Sequence, residues 1–175
     1  MLSLGLRGVR VPFDYESNTS VVVRVLSDAN TTTANPDLSG GLTTRVAEII
    51  NDDATIVGIK WNQLPSVFVW VDSANEEYSS LGVTGPTNNR KFKTVRYNVL
   101  GAYRKEGAHS SHAVAMLELY RLAENIEGVF QREMTLSNTA MIVNPVTTDF
   151  LPVGELSGVW VKAVMVKLEA RYLFR

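Results

Sequence analysis

The run Val159 to Phe174, "VWVKAVMVKLEARYLF", is the strongest constraint that the chain places on its own fold. Trp160, Val164, Val166, Leu168, Ala170, Tyr172 and Phe174 fall on one side, with Lys162 the only charge among them. Val161, Ala163, Met165, Lys167, Glu169, Arg171 and Leu173 fall on the other. This period of two is strand alternation. Fully extended, such a strand reaches about 50 Å at roughly 3.3 Å per residue. Its first half is apolar on both faces and its second half on one. A strand of that length left exposed invites aggregation, so either the chain's own sheet or another subunit covers it.

The rest of the chain supplies elements for a sheet around it. "SVFVWVDS" is apolar on both faces and predicts a central strand, with "ATIVGIKW" a second strand before Pro65. "FKTVRYNVLGAYRK" puts Val95, Tyr97, Val99 and Tyr103 on one face and Arg96, Asn98 and Arg104 on the other, a strand with one wet face. "TLSNTAMIVNPVTTDF" predicts a strand around Ala140 to Val146, and "LPVGELSG" a turn into the final strand. The clearest helix is "SHAVAMLELYRLAENIEGVFQRE". Ala115, Leu119, Leu122, Ile126 and Val129 make one apolar stripe, broadened by Met116, Ala123 and Phe130. Ser110 or Ser111 is placed to cap it, and Glu118 and Glu124 to pair with Arg121 on the outer face. "LTTRVAEIINDD" predicts a shorter helix from Leu42, Val46, Ile49 and Ile50.

Residues 1–41 read differently. "SVVVRVL" (Ser20 to Leu26) has strand composition, and the "SDANTTTANPDLSGG" that follows has little to bury and reads as loop or linker. The segment is either an N-terminal arm carrying one strand or the first strand of the same sheet with a long loop. Residues 74–90, "ANEEYSSLGVTGPTNNR", predict a long polar loop of the kind that often carries function. The fold class expected is α+β: a mainly antiparallel sheet with two helices packed on one face, an arm over residues 1–41 and a body over 42–175.

Chemistry is sparse. With no cysteine, disulfides and thiolate zinc sites are excluded. His109 and His112 are the two histidines. Their spacing suits one helical side, but a metal site needs further ligands and only Glu106 is near, so both read as solvent-facing. Asp52–Asp53 and Glu76–Glu77 are adjacent pairs that flank loops and do not by themselves make a two-carboxylate site. No phosphate-cradling glycine pattern, nucleophile elbow or metalloprotease motif occurs. The expectation is no enzyme, no cofactor and no metal. Net charge is −1, so a strongly basic nucleic-acid footprint is absent. The best basic–aromatic stretch is Arg90, Lys91, Lys93 and Arg96 with Phe92 and Tyr97, read either as a backbone-tracking strip or as a wet strand face. No stretch approaches the roughly 20 apolar residues of a membrane span. The start, "MLSLGLRGVRVPFDYE", does not read as a signal peptide, which points to a cytoplasm or something assembled in one.

The layout resembles the tail terminator (tail completion) proteins of long-tailed bacteriophages. The residues that carry the resemblance are Tyr97, Val99, Gly101, Ala102 and Tyr103 in a strand, then Leu119, Tyr120, Leu122, Ala123, Glu124, Ile126, Glu127 and Phe130 in the helix. Thr135 and Leu136 follow at the turn, and Val159, Trp160, Val166, Leu168, Arg171 and Tyr172 in the last strand. It covers residues 42–175 and leaves 1–41 outside. The resemblance implies a non-enzymatic virion protein whose hexameric ring ends the tail tube at its head-proximal end. Its partners would be itself, the tail tube protein, the head connector or neck protein and, in contractile tails, the sheath protein, with DNA passing through the ring ungripped. Another neck ring, a connector or stopper, is the alternative, and a small nucleic-acid-binding module a third. On this reading Trp160, Val161, Ala163 and Met165 are expected at subunit contacts, with Tyr78, Leu81 and Val83 from the polar loop.

Overall fold

The final strand lies in the interior of a sheet. A computed structural model describes residues 12–31, 38, 42, 46–53, 64–78, 91–104, 112–156 and 159–174; within these, the side chains of residues 31, 78, 112, 153–156, 159–160 and 174 lie outside the description. In chain order the elements are α1 (Tyr15–Thr31), β1 (Glu48–Ile50), β2 (Ser66–Tyr78), β3 (Lys91–Arg104), α2 (His112–Arg132), β4 (Ile142–Leu156) and β5 (Val159–Phe174). The strands form one sheet in the order β1-β2-β3-β5-β4. β1 runs parallel to β2 and every other neighbour is antiparallel, so the fold is α+β with a mainly antiparallel sheet. β5 pairs with β3 from Arg104↔Val161 to Lys91↔Phe174, and with β4 from Leu156↔Val159 to Ile142↔Arg171. Its backbone groups are therefore satisfied on both sides by its own chain, which removes the hazard of an exposed strand.

Both helices lie on one face. Val164, Val166, Leu168, Ala170 and Tyr172 of β5 are buried there, as are Val95, Tyr97 and Val99 of β3. Apart from Val164, which packs with Tyr103, Leu119 and Ala123 in a smaller cluster, they join Leu122, Ile126, Val129 and Phe130 of α2 and Val22, Val25, Leu26 and Ala29 of α1 in one core. Each such valine, leucine, isoleucine or phenylalanine contributes about 1.5–3 kcal/mol of burial. α2 comes down directly on β3 at Gly101. A methyl carbon there would meet Leu122 Cδ2 at 2.8 Å and Ile126 Cδ1 at 3.2 Å, so glycine lets helix and strand approach. All five stripe positions of α2 are buried, as its spacing predicts. Glu118, expected on the outer face, is buried instead, and Arg121 Nη1 donates to its Oε1 at 3.0 Å.

Four expectations need correction. Ser20–Leu26 is helix, not strand, because α1 spans Tyr15–Thr31 and so also takes in the start of the supposed linker. Val22, Val25, Leu26 and Ala29 recur at helical spacing, and burying that stripe outweighs the few tenths of a kcal/mol per residue by which valine disfavours helix. Asp14 fixes the start: the Ser17 hydroxyl donates to its Oδ2 at 2.6 Å and the Ser17 N–H to its Oδ1 at 2.9 Å, and these bonds, the hydroxyl's first, hold its carboxyl below the usual range. The helix expected at 42–50 is replaced where described by β1, which takes the parallel edge of β2, with the Ala47 N–H donating to the Pro65 carbonyl at 2.7 Å. Residues 74–78 extend β2 rather than opening a loop, since Asn75↔Thr94 through Tyr78↔Lys91 continue its ladder. β4 runs on through the expected turn as far as Leu156. "ATIVGIKW" and residues 79–90 lie outside the described residues.

Candidate interaction surface

Among the described residues β4 is an outer strand with one neighbour, β5, and its other edge faces away from the sheet. The start of that edge is covered by the chain itself. After α2, Leu136, Ser137 and Asn138 take left-handed backbone angles (φ 48°, 55° and 66°), and Leu136 inserts fully into the core. The turn brings the Met134 carbonyl to the Val143 N–H at 2.6 Å. Farther along, the edge is blunted by Pro145 and by two register shifts, at Pro145/Thr147 and Leu151/Gly154.

Apolar side chains crowd this flank. Phe150 is 46% exposed and stands edge-on to Tyr120 of α2, ring centroids 5.1 Å apart at 90°. Tyr120 continues along α2 into Leu117 and Val114, all exposed by more than 40%. Val146, lifted out by the first bulge, is 61% exposed. Below Phe150 the strand is tied to α2 by a hydrogen bond between the Thr148 hydroxyl and Glu127. Single exposed apolar residues are ordinary, but a joined group is not.

The sheet face that carries no helix among the described residues divides in two. One half is apolar: Phe68, Leu100, Ala102 and Val161 are buried, with Ala163, Met165, Trp70, Ile50 and Leu64 packed against them. Val161, Ala163 and Met165, expected at a subunit contact, gather here, Val161 buried and the other two half-buried. The side chains of Trp160 and Tyr78, and all of Leu81 and Val83, lie outside the described residues. The other half is a mosaic of ion pairs: Arg96–Glu169 at 3.1 Å, Lys167–Asp149 at 3.2 Å and Arg171–Glu77 at 3.6 Å, with Arg171 also 4.3 Å from the Phe92 ring centre. Exposed pairs of this kind contribute little to stability and shape the surface potential instead.

The basic–aromatic stretch does not form one strip. Lys91 and Lys93 pair with Glu76 on the helix side, and the Lys93 ammonium also lies 5.4 Å from the Tyr15 ring centre. Arg96 points to the opposite face, and Tyr97 is buried with its hydroxyl 2.9 Å from that of Tyr172. Burial pushes both phenols up, and each then interacts with the other. Arg90 and His109 lie outside the described residues, as does the side chain of His112. Glu76 and Glu77 face opposite ways, and Asp52 caps its own neighbour, the Asp53 N–H donating to its Oδ1 at 2.7 Å. Among the described residues no three metal-ligating side chains gather, and no helix is long and apolar enough to cross a membrane.

Val114, Leu117, Tyr120, Phe150 and Leu151 escape a reading for sites because they look like surplus core. The available signal is the spacing of three from Val114 to Tyr120, an apolar row beside a stripe that is already complete. Comparison of the chain with protein-family models and with curated proteins finds no match.

Proposed function

We propose that the chain is a structural virion protein of a long-tailed bacteriophage, a subunit of the ring at the head-proximal end of the tail tube. It is assembled in the host cytoplasm, ends tube polymerisation and presents a docking surface to the head connector, contacting the sheath where the tail contracts. The resemblance of residues 42–175 brings this reading, and one structural observation supports it more than any other. The long outer strand β4 and the adjoining side of α2 expose a joined apolar surface, Phe150, Tyr120, Leu117 and Val114, of the sort that subunits bury against one another. The half-buried Ala163 and Met165 on the helix-free face are a second such area. Repetition of one contact around a closed axis gives a ring.

Labelling tests the placement. With no cysteine in the chain, Ser20→Cys on the exposed side of α1 offers a unique thiol for a gold label. Electron microscopy of particles carrying it is expected to show one focus at the junction of head and tail. Label along the tube, at the distal tip, or missing from particles contradicts the proposal.

A further inference from the structure

We infer that the cleft between Asp72, Asn98, Val146, Thr147 and Lys167 on the helix-free face is a socket for a guanidinium, filled by an arginine side chain of a protein partner. The cleft encloses about 240 Å³, crosses four strands and is lined also by Arg96, whose charge is taken up by Glu169. Asn98 at its floor is 8% exposed. Its Nδ2 donates to Asp72 Oδ1 at 3.2 Å, while its Oδ1 is buried with no partner. Turning the amide over would set two oxygens against each other, so the unmet group is an acceptor. A buried acceptor without a donor is costly and needs an explanation.

Asp72 has the matching need. Its two oxygens take one hydrogen bond each, from Asn98 Nδ2 and from Ser73 Oγ at 3.3 Å, and no cation pairs with it among the described residues. The nearby cations are engaged, Arg96 with Glu169 and Lys167 with Asp149. The neighbourhood therefore holds three carboxylates against two cations. On Asn98 and Asp72 the unmet atoms are acceptors: Asn98 Oδ1 and the spare lone pairs of Asp72. An anion would meet the Asp72 carboxylate. An ammonium is a compact point charge, whereas the planar fork of a guanidinium spans a carboxylate and a separate amide oxygen. The exposed Val146 supplies apolar lining for the stem. The site stands on its own geometry, and failure of the ring reading leaves it untouched.

The test uses the full chain and N-acetyl-arginine N-methylamide, a mimic of an arginine within a protein, followed through the Asn98 side-chain amide in NMR spectra. A saturable shift is expected, absent with the uncharged citrulline analogue and weakened roughly tenfold or more in Asp72→Asn, a surface change that spares folding. Asp72→Ser serves as a second variant with the same expectation. No saturable shift means that ordered water alone fills the cleft. An equal response to the citrulline analogue or an undiminished one in both variants refutes the socket. Tighter binding of free arginine than of the capped form refutes a protein partner.

Discussion

Gly101→Ala isolates the contact that sets α2 against the sheet. The added carbon would lie 2.8 Å from Leu122 Cδ2, 3.1 Å from Leu122 Cγ and 3.2 Å from Ile126 Cδ1, closer than carbon atoms rest. Leu122 and Ile126 are both fully buried and have no free volume into which to swing. Overpacking of this kind costs about 1–3 kcal/mol. At about 2–4 °C per kcal/mol for a chain of this size, the midpoint of thermal unfolding is expected to fall by several degrees. Leu122→Ala alone leaves a cavity and costs about 2–5 kcal/mol. The double variant removes the two nearest clashing atoms, those of Leu122, and fills part of that cavity, so its cost is expected to be smaller than the sum by about 1–3 kcal/mol. Urea unfolding of the four proteins measures that coupling. If Gly101→Ala is neutral, or if the two changes simply add, then close approach is not the reason for glycine at this position.

Phe150→Asp, at a side chain 46% exposed, is expected to leave the circular dichroism spectrum and unfolding midpoint nearly unchanged while keeping the protein out of particles; Val161→Asp, at a buried site, is expected to unfold the chain. An assembling Phe150→Asp protein contradicts the placement of the contact. Tyr172→Phe removes one partner of the Tyr97 hydroxyl and is expected to cost about 1 kcal/mol in urea unfolding. Both phenols are raised in the folded state, so their contribution is complete below the ordinary tyrosine range near pH 10 and is lost as pH rises above it; ultraviolet titration is expected to show two tyrosines that ionise only with alkaline unfolding. Asp14 is lowered, so its contribution is present above its unfolded value and is lost as pH falls through the folded one. The difference in stability between the wild type and Asp14→Asn is therefore expected to shrink on acidification below pH of about 4.

Where the pattern in the sequence repeated often enough, it specified the element. α2, β3 and β5 each carry a full stripe or alternation, and each lies where its period places it. The failures came where local preference and tertiary burial disagree. Three valines in a row favour strand, yet Val22, Val25, Leu26 and Ala29 share a helical face that the sheet buries. Val46, Ile49 and Ile50 fit a helical spacing, yet the open edge of β2 offers hydrogen bonds that a short helix lacks. "ANEEY" and "LPVGEL" look like loops because their strand character comes from the ladder partner and not from their own side chains. The apolar flank of β4 and α2 was not legible, since Phe150 and Tyr120 meet only through the antiparallel return of β4. The socket is further from sequence still. It joins Asp72 to Asn98 and Thr147 across strands far apart in the chain, and depends on an amide oxygen left unpaired.

The most direct test of the ring reading is tail length, measured by electron microscopy in a phage that lacks this protein. The expected result is overlong tails without heads, because nothing ends the growth of the tube. Tails of normal length that fail to join heads would assign the chain to a connector ring instead, and normal infectious particles would contradict any role at the head–tail junction.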